Sequence, residues 1–331
     1  MRLARRQVLQ LTAGGAAALA LPSLGRASEA PLLDVATIIG GFGAGGTVDT
    51  LTRRTAHELS GMYAQSVVVE NRTGAGGQIA VQAVTRSKPD GATILCTPMS
   101  IVGIYQFTYK KLPYDPVKDL EPVSLGCVFD FGFAVGPAVP KSVTNVKQFF
   151  EWVKQNPHHA NFGSPGAGSA PHFVGDLIAR ANGVPLTHVA FRGTQPAIVD
   201  LIGGQIPAVS GPVGEFLPHL KDGRVRLLAT SGAERNRFAP DIPTLVEQGM
   251  EGMTYSEWFG FFVAAGTPKN IVNRLSTDIG KALKAQSAID GLALMGLEAR
   301  SSTPEEFAAL FAKDTALWKP IVEKNGFTAD S

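Results

Sequence analysis

The chain has 331 residues, 44% of them apolar and 18% charged; ordinary globular chains carry about 25% charged residues, so a disordered polypeptide is excluded and an ample core is expected. At roughly 150 residues per domain the length suggests two domains. The formal net charge is +2, but Arg2, Arg5, Arg6 and Arg26 against Glu29 put +3 into the first thirty residues, so the remainder lacks the basic patch that a nucleic-acid binder needs.

Residues 1–30 read as an export signal: a basic start, an apolar stretch from Val8 to Leu21 and small residues from Ala27 to Ala30. Arg5-Arg6 followed by Val8-Leu9 resembles a twin-arginine signal, with an ordinary secretory signal as the alternative. Either reading puts the mature protein outside the cytoplasm. The apolar stretch is shorter than the about 20 residues that span a bilayer, and no later run is long enough.

After the leader, Val35–Ile39 reads as a strand buried on both faces. A glycine-rich loop follows, then a helix marked by Val48, Leu51, Ala56 and Leu59, with Thr47 as N-cap. Ser66–Glu70 is the next strand. Gly74-Ala75-Gly76-Gly77 opens a helix carrying Ile79, Ala83 and Val84, which stops before the turn Lys88-Pro89-Asp90-Gly91. Ala92–Thr97 is a third strand. Beyond Pro116 come a strand at Leu125–Val135 and a helix at Val143–Gln155. A Ser-Gly loop at Ser164–Ser169 leads to a helix at Pro171–Arg180. Strands at Thr187–Phe191, Ile206–Val209 and Val225–Thr230 follow, with a helix at Thr194–Ile202 among them. The tail, Thr303–Lys324, is a helix with Thr303 and Glu306 in capping-box spacing. Such alternation implies an α/β fold of parallel sheets flanked by helices.

Cys96 and Cys127 sit in apolar strand-like runs and read as buried free thiols. The scattered histidines, and the adjacent pair His158-His159, lack zinc-ligand spacing. Neither metal nor cofactor is expected.

Four segments invite a chemical reading. Gly41-Phe42-Gly43-Ala44-Gly45-Gly46 satisfies G-x-G-x-x-G between strand and helix, with Glu70 near the place of a ribose-binding acid. Asp49 in the helix's first turn opposes a pyrophosphate there, whereas free N–H groups at a helix start suit one carboxylate. In Ser164–His172, serine, histidine and nearby Asp176 invite a hydrolase reading, but G-x-S-x-G is absent. Ser169 as N-cap and Pro171 early in the helix give the structural alternative. Arg192, after the strand Thr187–Phe191, lies where α/β sheets seat ligands; it either pairs with an anion or is simply solvated. Ser256-Glu257-Trp258-Phe259-Gly260 is an aromatic cluster, domain core or else ligand wall.

Taken together, the motifs resemble a known family, the extracytoplasmic solute receptors of tripartite tricarboxylate transporters (the Bug, or TctC-like, group). The resemblance runs through Val69-Glu70-Asn71-Arg72-Thr73-Gly74-Ala75-Gly76-Gly77, Lys88–Gly91, Leu112-Pro113-Tyr114-Asp115-Pro116 and the Ser164–His172 loop. It continues through Thr187-His188-Val189, Asp241-Ile242-Pro243-Thr244, Trp258-Phe259-Gly260 and Gly266-Thr267-Pro268. It implies a two-domain periplasmic binding protein, type II-like, each domain a mostly parallel sheet flanked by helices, with the ligand cleft between them. Residues 31–128 and 252–331 would form domain 1, and 129–251 domain 2. The hinge would lie near Cys127–Phe131 and Gly249–Trp258. The ligand implied is a small carboxylate, and the site residues carried over are Phe42, Ala44, Gly45, Gly46 and Asp49 on one side. Ser164, Gly168, Ser169, His172 and Arg192 face them, flanked by Thr97 and Ser100.

The chain departs from that pattern in three places. Gly41 stands before Phe42 where the family has proline, and Ala190-Phe191-Arg192-Gly193 replaces Pro-Tyr-Lys-Gly. Ser210-Gly211-Pro212 lacks an acidic or aromatic group, which would disfavour ligands bearing an ammonium.

The expected function is a monomeric, non-enzymatic receptor delivering a small organic acid to membrane permease subunits, or else presenting it to a sensor ectodomain. The alternative from a different class is an exported NAD(P)-dependent oxidoreductase using the loop Gly41–Gly46.

Overall fold

The computed structural model describes residues 31–329, so the expected export signal lies outside the described residues. β1 (Leu33–Gly40), β2 (Ala64–Asn71) and β3 (Thr93–Pro98) form a parallel group in the order β2-β1-β3. The β-branched run predicted as a strand is the heart of β1, with Ile38 and Ile39 buried. α1 (Thr47–Leu59) buries Val48, Leu51, Thr52, Thr55 and Leu59, one face at helical spacing. Its N-cap is Gly46 rather than Thr47, and a glycine has no side chain of its own to cap with. The second glycine run forms a 3₁₀ turn before α2 (Gln78–Thr85). Gly77 has φ +97°, where a side chain is strained, and a Cβ there would stand 2.3 Å from Cδ1 of Ile101, which would have to shift.

Beyond β3 the chain makes a π-helical turn at Ser100–Ile104 and the short α3 (Tyr105–Thr108). β4 (Leu120–Val135) starts earlier than predicted and runs for 16 residues. α4 (Val146–Gln155) starts later than Val143, because the Asn145 side chain accepts from the Gln148 N–H and sets the helix start. β5 (Asn161–Ser164), α5 (Ala170–Ala181), β6 (Thr187–Ala190), α6 (Thr194–Ile202), β7 (Ala208–Pro212), α7 (Val213–Leu220) and β8 (Arg226–Thr230) continue the alternation. β7 lies two residues later than predicted; Pro207 precedes it and has no N–H for the ladder.

The aromatic cluster at Ser256–Gly260 proves to be part of β9 (Ser256–Ala264), buried from Glu257 onward. α8 (Lys269–Ala282), α9 (Gln286–Ala293), β10 (Glu298–Ala299) and α10 (Pro304–Asn325) follow, and Thr303 and Glu306 form the predicted capping box.

The sheet runs β2-β1-β3-β9-β4-β7-β5-β6, with β8 and β10 also paired to β4. It is mixed rather than mostly parallel: β9 is antiparallel to β3 and β4, and β4 is antiparallel to β7 and β8. The reason is connectivity. β4 carries the chain out of the β1–β3 half and β9 brings it back, so these neighbours travel in opposite directions. β4 belongs to both halves, pairing β9 as far as Asp130 and β7 from Phe131.

Cys96 and Cys127 are free and buried, as predicted. Burial pushes both thiols far up from their ordinary pKa, so they act as small apolar groups. Among the described residues no helix is long and apolar enough to cross a membrane.

Candidate functional site

The glycine loop between β1 and α1 is held from behind. Asp49, buried in the first turn of α1, accepts hydrogen bonds from the Gly45 N–H (2.9 Å), Arg53 Nε (2.9 Å) and Asn71 Nδ2 (2.9 Å). Burial raises its pKa, but these bonds outweigh burial and hold the carboxyl below its usual range. Asp49 is therefore an ionised clamp on the loop.

In front of the loop is a cavity of about 230 Å³, walled by both halves of the sheet. The β1–β3 half contributes Phe42, Thr47, Val48, Ser100, Ile101 and Tyr105, with Glu257 and Phe259 from β9. The other half contributes Pro165, Ser169, Pro171, Arg192 to Pro196, Pro212 and Glu215. Prolines and aromatic rings thus make a stiff apolar wall, interrupted by a few polar groups, as small-molecule sites usually are.

Two of those polar groups are buried carboxylates. Glu215, in the first turn of α7, receives the Thr47 N–H (3.2 Å) and Thr47 Oγ1 (2.8 Å) on Oε1, and Gln195 Nε2 (2.9 Å) on Oε2. It sits on the N-terminus of α1, where peptide dipoles favour a negative charge. Burial still raises its pKa, with the Thr47 and Gln195 bonds opposing. Glu257, on β9, receives the Ser100 N–H (2.7 Å) and Ser100 Oγ (2.5 Å) on Oε1. Burial pushes its pKa up to about 7, against the Ser100 bonds, and the charge of Asp314 adds to the rise. The Ser100 hydroxyl in turn accepts from the Ala170 N–H at the start of α5 (2.9 Å). Thr47–Glu215 and Ser100–Ala170 therefore each tie the two halves together across the cavity.

Of the twelve residues predicted from the sequence, six line the cavity: Phe42, Ala44, Gly46, Ser100, Ser169 and Arg192. Arg192 is exposed and has no ionic or hydrogen-bond partner among the described residues. The other six stand behind the wall. Gly45 and Asp49 hold each other, and Thr97 is buried in β3 opposite Gly260 of β9. Ser164 is buried at the end of β5, its hydroxyl 2.7 Å from His188 Nε2. Gly168 donates its N–H to His172 Nδ1 (3.0 Å). His172 is 2% exposed and stacks on His188 with ring centroids 3.7 Å apart. Burial lowers the pKa of His172 to about 3, helped by His188, and that of His188 to about 4. His172 is thus neutral, and its 3.4 Å approach to Asp176 is no charged pair. The hydrolase reading fails on the same geometry, since the Ser169 hydroxyl donates to the Gly166 carbonyl (2.6 Å).

The sequence reading missed Thr47 as a site residue, Gln195 and Glu215, and named Glu257 only within an aromatic segment read as domain core or ligand wall. Ser210-Gly211-Pro212 itself brings no acidic or aromatic side chain, as read from the sequence, but Glu215 follows three residues later and Glu257 enters from β9. The available signal was an acid standing alone in an apolar run, as in Val213-Gly214-Glu215-Phe216-Leu217 and Glu257-Trp258-Phe259.

Residues 51–327 match the family model described as the tripartite tricarboxylate transporter family receptor (TctC). The chain is similar to the UPF0065 protein in the gbd 5' region of Cupriavidus necator, 30% identical over 308 residues that cover 93% of this chain and 92% of that one. BugT of Bordetella pertussis is 28% identical over 286 residues, 86% and 87% of the two chains. Among solved structures, Rpa4515 of R. palustris with adipate superposes with a TM-score of 0.84 at 29% identity, covering 91% of this chain and 99% of that one. MatC from Rhodopseudomonas palustris with bound malate gives 0.81 at 28% identity, covering 88% and 99%.

The family and these neighbours are binding proteins, not enzymes, which overturns the oxidoreductase alternative. The geometry gives the reason. The α1 N-terminus that would receive a pyrophosphate already carries Glu215, and Asp49 lies directly behind it.

Proposed function

Since this chain belongs to the tripartite tricarboxylate transporter receptor family, we propose that it captures a small organic carboxylate by closing two lobes upon it and delivers it to membrane permease subunits of such a transporter. The observation that carries this reading is the cavity walled from both halves of the sheet, with the guanidinium of Arg192, unpartnered among the described residues, beside it. An apolar wall on which Arg192 is the one cation among the described residues suits an organic anion, whose burial without a partner is strongly unfavourable. The neighbours with adipate and malate support the ligand class.

In this reading the lobes are residues 31–128 with 252–331, and 129–251. The hinge is the stretch Cys127–Phe131, where β4 changes partners, with the return crossing at Gly249–Trp258, which leads into β9. Contacts made to the ligand by both lobes then shift an open–closed equilibrium. Family members are extracytoplasmic, and export of this chain by the twin-arginine pattern at Arg5-Arg6 is part of the proposal.

The test is a thermal-shift screen of the natively purified protein against small carboxylates, nicotinamide cofactors and neutral solutes. A ligand at 100 times its Kd stabilises the fold by about 2.7 kcal/mol. Stabilisation by a set of small acids is the expected result; stabilisation only by cofactors or neutral solutes overturns the reading.

A further inference from the structure

Glycine at position 214 is not demanded by its backbone. Gly214 stands in the first turn of α7 without a positive φ, where alanine is the better helix former. What it meets in space is another matter. A Cβ there would stand 1.5 Å from the Met295 carbonyl oxygen, 2.3 Å from the carbonyl carbon and 3.0 Å from the Gly296 nitrogen. The neighbour is backbone, so no flexible side chain can swing aside.

The surface that Gly214 rests on is stiff. The turn that ends α9 is closed by the Gly296 N–H on the Ala293 carbonyl (3.0 Å) and the Leu297 N–H on the Leu292 carbonyl (3.1 Å), with Gly296 at φ +59°. That is the Schellman arrangement. A Cβ on Gly296 would in turn lie 2.8 Å from the Gly214 Cα and 3.2 Å from Cδ1 of Leu217, so Leu217 leans on the same turn. α9 is itself fastened to α1, through the Ser287 hydroxyl on Glu58 (2.5 Å). Two consecutive residues of α7 therefore meet one body: Gly214 on the α9 turn and Glu215 on the start of α1.

Resting on the two-lobe reading above, we propose that Gly214 is a positioning residue for ligand capture, the seat on which the lobes close. Its bare Cα lets α7 of one lobe settle on the turn 294–296 of the other, and that seating brings Glu215 onto Thr47. A methyl group at 214 holds the two backbones apart by about 2 Å before ordinary contact distance is restored. Such a gap parts the Thr47–Glu215 bonds of 3.2 and 2.8 Å, and tilts the Ala170 N–H off the Ser100 hydroxyl. The interior of each lobe is untouched, because the added atom faces the other lobe.

The experiment reads two amides. The Thr47 and Ala170 N–H groups open α1 and α5, where no intrahelical acceptor exists. Among the described residues they donate to Glu215 and to Ser100, each across the lobe boundary. Their hydrogen exchange reports closure with or without a ligand. It is followed by NMR in the native chain, Gly214→Ala and Gly280→Ala, each alone and with malate or adipate, alongside titration with both acids. Gly280 is the control, a glycine within α8 whose Cβ would meet nothing nearer than 3.6 Å.

In Gly214→Ala both amides should exchange about 10-fold faster or more, and affinity for whichever acid the native chain binds should fall by a similar factor. Amides inside β1 and β7 should keep their native rates, which a general loss of stability would not allow. Gly280→Ala should match the native chain throughout. Leu217→Ala adds no atom and should move both readouts the same way to a smaller degree; it carries the test if Gly214→Ala does not fold.

Native exchange and native affinity in Gly214→Ala overturn this inference and leave the receptor reading standing. Rapid exchange of both amides in the native chain under every condition overturns the seat and lobe closure together. Faster exchange in Gly214→Ala with neither acid bound upholds the seat and counts against those two acids alone.

Discussion

Glu215 accepts two hydrogen bonds from Thr47, one from its N–H at 3.2 Å and one from its hydroxyl at 2.8 Å, joining the first turn of α7 to the first turn of α1. The bond is a latch as well as a cap, because the two helices flank different halves of the sheet. Removing it in Glu215→Ala leaves the Thr47 and Gln195 donors without their acceptor. The expected loss is about 1–3 kcal/mol of stability, read as a lower Tm and a lower urea midpoint. A Tm within experimental error of the native chain would mean that the contact contributes nothing to the closed arrangement.

Glu257 predicts a dependence of stability on pH with a definite sign. Burial raises its pKa to about 7 in the folded chain, from an ordinary value of 4.5. The folded state therefore holds this proton more tightly than the unfolded one. The contribution is fully present below pH 4.5 and is lost as pH rises through 7. Glu257→Gln keeps an acceptor for Ser100 and carries no charge. Its Tm should match that of the native chain at pH 4.5 and exceed it progressively toward pH 8. A difference that stays flat, or that grows on acidification, would contradict the burial argument.

Most of the fold was legible because its parts are local. β1 announces itself by a β-branched run, α1 by apolar residues three and four apart, and α10 by Thr303 and Glu306. β9 was read only as aromatic residues, since a strand buried on both faces has no alternation to betray it, and its partners β3 and β4 lie far off in sequence. The site was legible only in its loops. Glycines at Gly45, Gly77 and Gly168 mark left-handed backbone wherever the chain is met. Glu215 and Glu257 could not be placed in the same way, because their partners Thr47 and Ser100 are 168 and 157 residues away. Asp49 and His172 were misplaced for the converse reason. Each looks like a site residue by type, yet each is engaged by its own neighbourhood.

The stacked pair His172 and His188 sets the acid side of the stability profile. Their folded pKa values lie at about 3 and about 4, below the ordinary 6.5, because burial disfavours the imidazolium. The unfolded chain takes up these protons first. The contribution is thus complete above pH 6.5 and is lost as pH falls toward 4. It runs opposite to that of Glu257 over the same range, so variants are needed to separate them. In His172→Phe, which keeps an aromatic ring against His188 but cannot be protonated, the loss of Tm between pH 7 and pH 4.5 should be smaller than in the native chain. An identical loss would show that both histidines become charged in the folded state without penalty.

Arg192 carries the prediction that separates binding from folding. Its side chain is exposed and makes no bond to any described residue, so Arg192→Ala removes nothing that holds the ligand-free fold together. In the closed cleft the same guanidinium would be the ligand carboxylate's one cation. A charge-assisted bond of that kind is worth about 1–3 kcal/mol, so affinity should fall by about 10- to 100-fold while the ligand-free Tm stays unchanged. Arg192→Lys restores the charge but not the planar fork, and should recover only part of the affinity. The check is a titration of the three proteins with one stabilising acid, read alongside their Tm values. If Arg192→Ala binds as tightly as the native chain, the carboxylate is held elsewhere, and the N–H groups of Gly43, Ala44 and Gly46 become the next donors to test, that of Gly45 being held by Asp49.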